Sequence, residues 1–145
     1  MSCKSMILLE QPDSSYLGIY CHHDGYIEHN GAILNASYQD RAKVEDLIEL
    51  GDISELGFNV SDKEVNHCIA YSRDMGVGGV TKAMKYESLE ELNDISTNWC
   101  EFNYVFSKDN KWRFFETGEL KNGLKELAPV IKEQQQYNVF GGATK

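Results

Sequence analysis

An aromatic β-hairpin is the sequence feature that most constrains the fold of this chain. In Cys100–Phe106 aromatic residues alternate with polar ones, and Lys111–Phe115 continues the aromatic pattern after a turn at Asp109-Asn110. Alternation directs every second side chain of a strand to one face. That face must be covered by other elements, and with the few bases nearby we expect it to be core rather than a base-stacking platform. It comprises Phe102, Tyr104, Phe106, Trp112 and Phe114.

Further strands are predicted before and after the middle of the chain. Ser5–Glu10 and Tyr16–Cys21 are rich in apolar, β-branched and aromatic residues, and a turn joins them. His67–Tyr71 and Val80–Tyr86 are shorter candidates of the same kind. Together with the hairpin, these runs predict a sheet of mostly antiparallel strands.

Helices are predicted between the strands. Arg41–Leu50 places apolar residues at helical spacing, with Asp40 suited to cap its start and Gly51 to end it. The other predicted helical segments are Glu28–Tyr38, a single turn at Asp52–Glu55, Leu89–Ile95 after a capping box at Ser88, and a last region after Thr117 that Pro129 kinks or splits.

The order of these elements predicts an α+β fold, with a mostly antiparallel sheet and helices packed on one side. A length of 145 residues is enough for one domain with a real core. We therefore expect a single domain over residues 1–145, with a tail that frays from about 138 to 145.

Composition restricts the classes of partner. A formal net charge of −9 argues against direct nucleic-acid binding, which needs a basic surface. The chain lacks an apolar run long enough for a signal peptide or a membrane span. Its four cysteines are widely separated and form no C-x-x-C pair, so free, buried thiols and a cytoplasmic location are expected.

The stretch from Tyr20 to Gly31 is the candidate site. It holds three of the four histidines, together with two acids, two tyrosines and two glycines, between a predicted strand and a predicted helix. Ligand sites often lie at such junctions. A metal could use His22, Asp24, Glu28 and His29, with His22 and Asp24 on one strand face. The spacing is not that of a known zinc motif, so local hydrogen bonding is favoured and neither a metal nor a cofactor is expected.

Catalysis and ligand binding are the two remaining interpretations. A histidine near an aspartate can serve as a general base, but no nucleophile lies in a recognisable catalytic motif, so no catalytic residue is assigned. Ligand binding requires fewer specific residues than catalysis. Arg73, which follows a distant predicted strand, could bind a phosphate or carboxylate of a ligand, or it could simply pair with Asp24 or Asp74. The predicted ligand-binding residues are Tyr20, His22, Asp24, Gly25, Tyr26, His29 and Arg73.

The same stretch resembles a motif of small proteins from phages, prophages and related mobile elements. The matching residues are Tyr20, His22, Asp24-Gly25-Tyr26 and Gly31, followed by Leu50–Gly57 with the pattern Leu-Gly-Asp-Ile-Ser-x-Leu-Gly. Ala70–Gly76 resembles a later segment of that family. The family is largely without an assigned activity, and this chain has His23 and Ile27 where Trp and Pro are common in it.

The resemblance implies a counter-defence role exerted by binding. The expected partner is a host defence protein, such as a CRISPR effector or a nuclease, or a small nucleotide signal that the protein sequesters. Two alternatives stay open: a small nucleotide-processing hydrolase using His22 and Asp24, and a structural module without a ligand. The sequence also leaves open whether a homodimer completes the pocket.

Overall fold

The computed structural model describes residues 3–78 and 81–134. Within them the chain forms one eight-stranded sheet together with helices and turns. The strands are β1 (Ser5–Glu10), β2 (Tyr16–Cys21), β3 (Ile53–Glu55), β4 (Ile69–Ala70), β5 (Met84–Tyr86), β6 (Phe102–Phe106), β7 (Trp112–Glu116) and β8 (Lys125–Glu126). The helices are α1 (Ala32–Ser37), α2 (Arg41–Glu49) and α3 (127–134), with a π-helical turn at Ile27–Gly31 and 3₁₀ turns at Leu89–Leu92 and Leu120–Asn122.

The sheet has β1 near its centre. The strand order is β4-β3-β2-β1-β6-β7-β8. β5 pairs with the first three residues of β2, and β3 pairs with the last residue of β2 on the same edge. β1 is antiparallel to β2 and parallel to β6, and β2 is parallel to β3. The other described pairs are antiparallel. The predicted α+β fold with a mostly antiparallel sheet is therefore confirmed.

The main core lies between the sheet and the helices. Alternation in β1 directs Ile7 and Leu9 to this face, where they meet the apolar stripe of α2. The predicted aromatic face of the hairpin is part of the same core, so the core prediction is confirmed. Its members include Tyr104, Phe106, Trp112 and Phe114, with Phe102 packed at its edge, and the helical side chains Ile33, Leu34, Val44, Leu47, Ile48, Leu127 and Ile131.

A smaller core covers the opposite face of the sheet. Met6 and Leu8 of β1 pack there against Leu89 and Leu92, which belong to the 3₁₀ turn after Ser88. The predicted capping box at that turn is present, with Ser88 and Glu91 each bonding the other's backbone. Tyr16, Tyr20 and Tyr86 lie at the margin of this second core and are half-buried. This margin is where a groove opens.

Helix α2 follows the sequence prediction closely. The Asp40 side chain accepts a hydrogen bond from the Ala42 N–H at 3.2 Å, which satisfies one of the free donors at the helix start. Gly51 ends the helix with φ +77°, a conformation that glycine adopts without strain. A Cβ there would also lie 2.1 Å from the Thr81 carbonyl oxygen. The chain is thereby turned directly into Asp52 and β3.

Two helical predictions are wrong. Asp52–Glu55 was expected to form a single turn, but Ile53–Glu55 is strand β3, paired with β2 and β4. The region after Thr117 was expected to be helical, but the helix starts at residue 127, after a 3₁₀ turn and strand β8. Pro129 lies in the first turn of α3, where its missing N–H costs no hydrogen bond, so it neither kinks nor splits a longer helix. In both places, pairing with neighbouring strands outweighs the local sequence pattern that predicted a helix.

Several predicted elements are shorter than expected. Of the strand predicted over His67–Tyr71, only Ile69–Ala70 pairs with a neighbouring strand. Of the strand predicted over Val80–Tyr86, only Met84–Tyr86 does so, and Val80 lies outside the described residues. The helix predicted over Leu89–Ile95 is the short turn Leu89–Leu92. The tail expected to fray, 138–145, also lies outside the described residues. In the described ranges, no helix is long and apolar enough to span a membrane.

Tyr38 connects three parts of the fold. It is fully buried at the end of α1, and its hydroxyl donates to the Gly57 carbonyl at 2.7 Å. Its own carbonyl accepts a hydrogen bond from the Trp112 indole N–H at 2.7 Å. Burial raises the pKa of the Tyr38 phenol, so it remains a donor across the physiological range. The residue therefore joins the helical layer to the segment after β3 and to the hairpin.

Tyr38→Phe should lower the free energy of unfolding by about 1–3 kcal/mol, because the Gly57 carbonyl loses its donor in a buried place. Urea unfolding followed by circular dichroism measures this change. Tyr71→Phe is the matched control, since the Tyr71 ring is half-buried and its hydroxyl makes no hydrogen bond among the described residues. Equal stability of Tyr38→Phe and wild type would contradict this account of Tyr38.

Candidate functional site

The predicted site begins where β2 ends. The His22 and His23 amides donate to the carbonyls of Ile53 and Ser54, at 3.1 and 3.0 Å, and so extend the pairing with β3. Asp24 then takes a left-handed conformation, with φ +57°. The strand alternation therefore stops before Asp24, and the prediction that His22 and Asp24 share a strand face is wrong.

Gly25 fixes this corner by close approach to the chain before β1. Its N–H donates to the Cys3 carbonyl at 2.7 Å, and its carbonyl accepts from the buried Tyr104 hydroxyl at 2.6 Å. A Cβ at this position would lie 2.7 Å from the Ser5 Cβ and 2.8 Å from the Cys3 carbonyl oxygen. The space is too small for any other residue, so Gly25 holds the corner against the central strand.

Asn30 closes the corner from inside. It is completely buried, and its amide nitrogen donates to the His23 carbonyl at 3.2 Å and to the Cys21 sulfur at 3.3 Å. Its amide oxygen lies 3.0 Å from His29 Nδ1, which must then carry the proton. His29 Nε2 lies 4.0 Å from the Asp24 carboxylate, which can only accept, so this contact is an ion pair only when both ring nitrogens carry a proton.

Apart from Gly25, which holds the corner, the predicted ligand-binding residues fall into three groups. The Tyr20 hydroxyl is bonded to His22 Nδ1 at 2.6 Å. The half-exposed side chains of Asp24, Tyr26 and His29 form a second group, in which the Tyr26 and His29 rings are 6.0 Å apart and the Asp24 charge raises the pKa of the Tyr26 phenol. Within the described residues no hydrogen bond or ion pair joins the first group to the second.

Arg73 forms the third group by itself. Its guanidinium donates to the carbonyls of Val60 and Cys68 at 2.6 and 2.8 Å, and it is paired with Asp74 at 3.0 Å. The neighbouring guanidinium lowers the pKa of the Asp74 carboxyl. This is the bracing role that the sequence left open for Asp74, and in the described ranges none of the Arg73 contacts reaches the Tyr20–Gly31 corner.

A metal centre is not assembled by these side chains. Across residues 3–78 and 81–134, no group of three His, Cys, Asp or Glu side chains converges in a way that could hold a metal ion. The corner is instead held by backbone hydrogen bonds, by Asn30 and by the Tyr20–His22 pair. The His22 and His29 rings already have hydrogen-bond partners within the protein.

Tyr20 connects the corner to a groove on the second face of the sheet. The groove has a volume of about 480 Å³. Burial raises the pKa of the Tyr20 phenol to about 12, so at neutral pH the group is a neutral hydrogen-bonding phenol. The residues that line the groove are Lys4, Met6, Tyr20, Tyr86, Glu91, Leu92, Thr97, Asn98, Trp99 and Cys100.

Trp99 stands at the rim of this groove with its side chain largely in solvent. Its residue surface is 80% exposed, the largest value among the exposed apolar residues of the described chain. The second tryptophan, Trp112, is by contrast buried in the main core. Sequence reasoning assigned no role to Trp99, and the signal available was a tryptophan placed in a loop of Thr and Asn between two predicted elements.

A polar network anchors the loop that carries Trp99. The Asn98 side chain donates to the Leu92 carbonyl at 2.7 Å and accepts from the Cys100 amide at 3.0 Å. It also reaches Asn103 and Thr117 at 3.1 and 3.3 Å, and these two residues are bonded to each other at 2.8 Å. The residues on both sides of Trp99 are thus fixed to the hairpin, so the backbone that carries the exposed indole is anchored.

Charge in the groove comes from Lys4 and Glu91. The Glu91 carboxylate accepts from the Glu87 and Ser88 amides at 2.6 and 3.1 Å, which satisfies it within the protein. None of the ion pairs among the described residues involves Lys4. The Lys4 ammonium is therefore the charge that remains available to a ligand in the groove.

Asp52 fixes the backbone of Tyr20 from the neighbouring strand. Its carboxylate accepts from the Tyr20 N–H at 2.9 Å in the space between β3 and β5. Burial raises the pKa of this half-buried carboxyl above its usual value near 3.8, and the Tyr20 N–H opposes that shift only in part. The sequence had assigned Asp52 only to the cap of a turn.

No similar protein was found for this chain among family models, curated protein sequences or solved structures.

Gly25→Ala should destabilise the protein by about 1–3 kcal/mol, because its methyl group must displace the backbone of residues 3 and 4. Gly78→Ala is the matched control: a Cβ at Gly78 meets no described atom within 4 Å, and its effect should stay within about 0.5 kcal/mol. Thermal or urea unfolding measures both. If the two variants were equally stable, the close approach at Gly25 would not hold the corner.

Asp52→Asn should become more stable than wild type as the pH rises. The carboxyl has a raised pKa in the folded state, so folding favours its protonated form, and wild-type stability falls from about pH 4 up through the folded pKa. Asparagine keeps an acceptor for the Tyr20 N–H without this loss. Urea unfolding at a series of pH values should show a difference that grows with pH and then levels off, whereas a constant difference would contradict the assignment.

Proposed function

We propose that this protein acts by binding a nucleotide in the groove beside Trp99, and that it serves a phage or mobile element by withholding that signal from a host defence pathway. The observation that carries the proposal is the exposed Trp99 indole on an anchored loop, beside a groove that is also lined by Lys4, which forms no ion pair among the described residues. The counter-defence context rests on the resemblance of the Tyr20–Gly31 stretch to proteins of mobile elements.

The groove offers the two chemical groups that a nucleotide needs. A nucleobase is a flat ring, and stacking on an aromatic side chain is worth about 1–3 kcal/mol per base. A phosphate needs a cation, and Lys4 supplies one on a chain whose net charge is −9. Tyr20 and Tyr86 add phenol groups that can hydrogen-bond the sugar or the base edge.

Anchoring of the loop supports binding in a second way. An indole that is exposed on a mobile loop would lose conformational freedom when it stacks on a ligand, and that loss weakens binding. The Asn98 network removes much of this cost, since the backbone on both sides of Trp99 is ordered before the ligand arrives. An aromatic side chain in such a place is typical of binding hot spots.

The side chains favour binding over catalysis. Burial raises the pKa of the Cys3, Cys21 and Cys100 thiols to about 12, so none of them is a thiolate at neutral pH. The hydrolase alternative needs His22 and Asp24 to act together. His22 is bonded to Tyr20, however, and Asp24 lies beside His29.

Trp99→Ala should weaken nucleotide binding by about 5- to 150-fold, the range expected when one stacking partner is removed. Titration of wild type with a panel of linear and cyclic nucleotides, followed by tryptophan fluorescence, identifies the ligand first. The exposed Trp99 indole should be quenched on stacking while buried Trp112 is not. At about 100 times its dissociation constant, the ligand should also stabilise the protein by roughly 2.7 kcal/mol.

Phe58→Ala is the matched control, because Phe58 is also an exposed aromatic residue and does not line the groove. Both variants should keep the wild-type fold, since truncation of an exposed side chain has little effect on stability. The proposal fails if no nucleotide in the panel binds, or if Trp99→Ala and Phe58→Ala bind equally well. Nucleotide turnover that is lost in His22→Ala would favour the hydrolase instead.

A further inference from the structure

A second groove lies on the helical face of the sheet, between α2 and the β2–β5 pair. Its volume is about 570 Å³, larger than that of the groove beside Trp99. Leu9, Leu17, Ile48 and Ala83 give it an apolar floor. The polar residues that line it are Gln11, Glu45, Glu49 and Lys82.

Apart from the capping Asp40, the charges of α2 run against the dipole of the helix. A helix carries partial positive charge at its start and partial negative charge at its end, so acids are favourable early and bases late. The first turn of α2 has no acid and holds Arg41 and Lys43, and its last turn has no base and holds Asp46 and Glu49. Glu45 and Glu49, four residues apart, also repel each other on one helix face.

Contacts within the protein account for the bases of α2 but not for its acids. Arg41 donates to the Glu10 carbonyl at 2.7 Å, and Lys43 donates to the Phe58 carbonyl at 2.7 Å while lying over the Tyr38 ring. Glu45 has one distant contact, with Arg41 at 4.0 Å. Across residues 3–78 and 81–134, Asp46 and Glu49 take part in no ion pair.

We infer that this groove binds a protein partner through a basic amphipathic segment. An apolar side chain of the partner fills the floor, and its Lys or Arg side chains pair with Glu45 in the middle of α2 and Glu49 at its end. Such a partner offsets both the repulsion between the two acids and the unfavourable position of Glu49 in the helix dipole. Lys82 also lines the groove, and it pairs with a carboxylate of the same partner segment. The inference is independent of the nucleotide groove, which lies on the other face of the sheet.

The test uses the full-length protein and a fluorescent amphipathic peptide of leucine and lysine as the probe. A peptide with glutamate in place of lysine, and one of the same composition in scrambled order, are the comparison probes. Fluorescence anisotropy should show binding of the amphipathic basic peptide that weakens with salt, and much weaker binding of the other two. Equal binding of the basic and the scrambled peptide would overturn the inference, because charge alone would then explain it.

The double variant E45Q/E49Q should bind the basic peptide about tenfold more weakly. The same variant should raise Tm by about 2–4 °C, since it removes the charge of Glu49 from the unfavourable end of α2 and the repulsion between Glu45 and Glu49. A gain in stability together with a loss of binding separates a binding role from a structural one. Unchanged binding would overturn the inference.

Two further variants define the groove. Glu64→Gln with Glu119→Gln makes the same change in net charge at exposed positions elsewhere and should leave binding unchanged. Ala83→Lys places a cation in the floor and should reduce binding without altering α2. A loss as large in the Glu64/Glu119 variant would overturn the inference. So would a dimer of the wild-type protein in sedimentation that Ala83→Lys dissociates, because the groove would then belong to a second copy of the chain.

Discussion

The structure depends on the burial of β1 on both of its faces. Every residue from Ser5 to Leu9 is buried, with Ile7 and Leu9 in the main core and Met6 and Leu8 in the second one. β1 is hydrogen-bonded to β2 on one side and to β6 on the other. A strand with no exposed face or edge needs other elements on both faces and both edges. Here the helices and the 3₁₀ turn at Leu89–Leu92 cover the two faces, and β2 and the aromatic hairpin pair with the two edges.

The same strand brings the candidate sites together. The residues just before it provide the Cys3 carbonyl for Gly25 and the Lys4 ammonium for the groove beside Trp99. Met6 forms part of that groove, and Leu9 forms part of the floor of the groove beside α2. The two faces of one buried strand thus carry two separate grooves, and each is completed by elements that are distant in sequence.

Local sequence was enough to predict the elements that local interactions stabilise. β1, β2, the aromatic hairpin and α2 with its Asp40 cap follow from alternation, helical spacing and capping. β3 was missed because Ile53–Glu55 becomes a strand only through pairing with Cys21 and Ala70. The prediction of a long helix after Thr117 was wrong for a similar reason, since Lys125–Glu126 pairs with β7 instead.

The candidate site was only partly predictable for the same reason. The Tyr20–His22 contact and the Gly25 turn lie within one short stretch, and the sequence points to that stretch. The anchoring of the loop that carries Trp99 depends on the Asn98 network, which spans residues from Leu92 to Thr117. The sequence left Asp74 open as a partner of Arg73, but it could not show the bonds to Val60 and Cys68, which are backbone carbonyls that no side-chain pattern reveals.

The central claim is that an anchored loop presents Trp99 to a ligand before the ligand binds. ¹⁵N relaxation of the backbone amides of residues 97–100 tests it most directly, on the free protein and without a mutation. The account predicts order parameters of about 0.85, as rigid as those of the sheet. Values below about 0.6 in this loop, beside a rigid sheet, would contradict it.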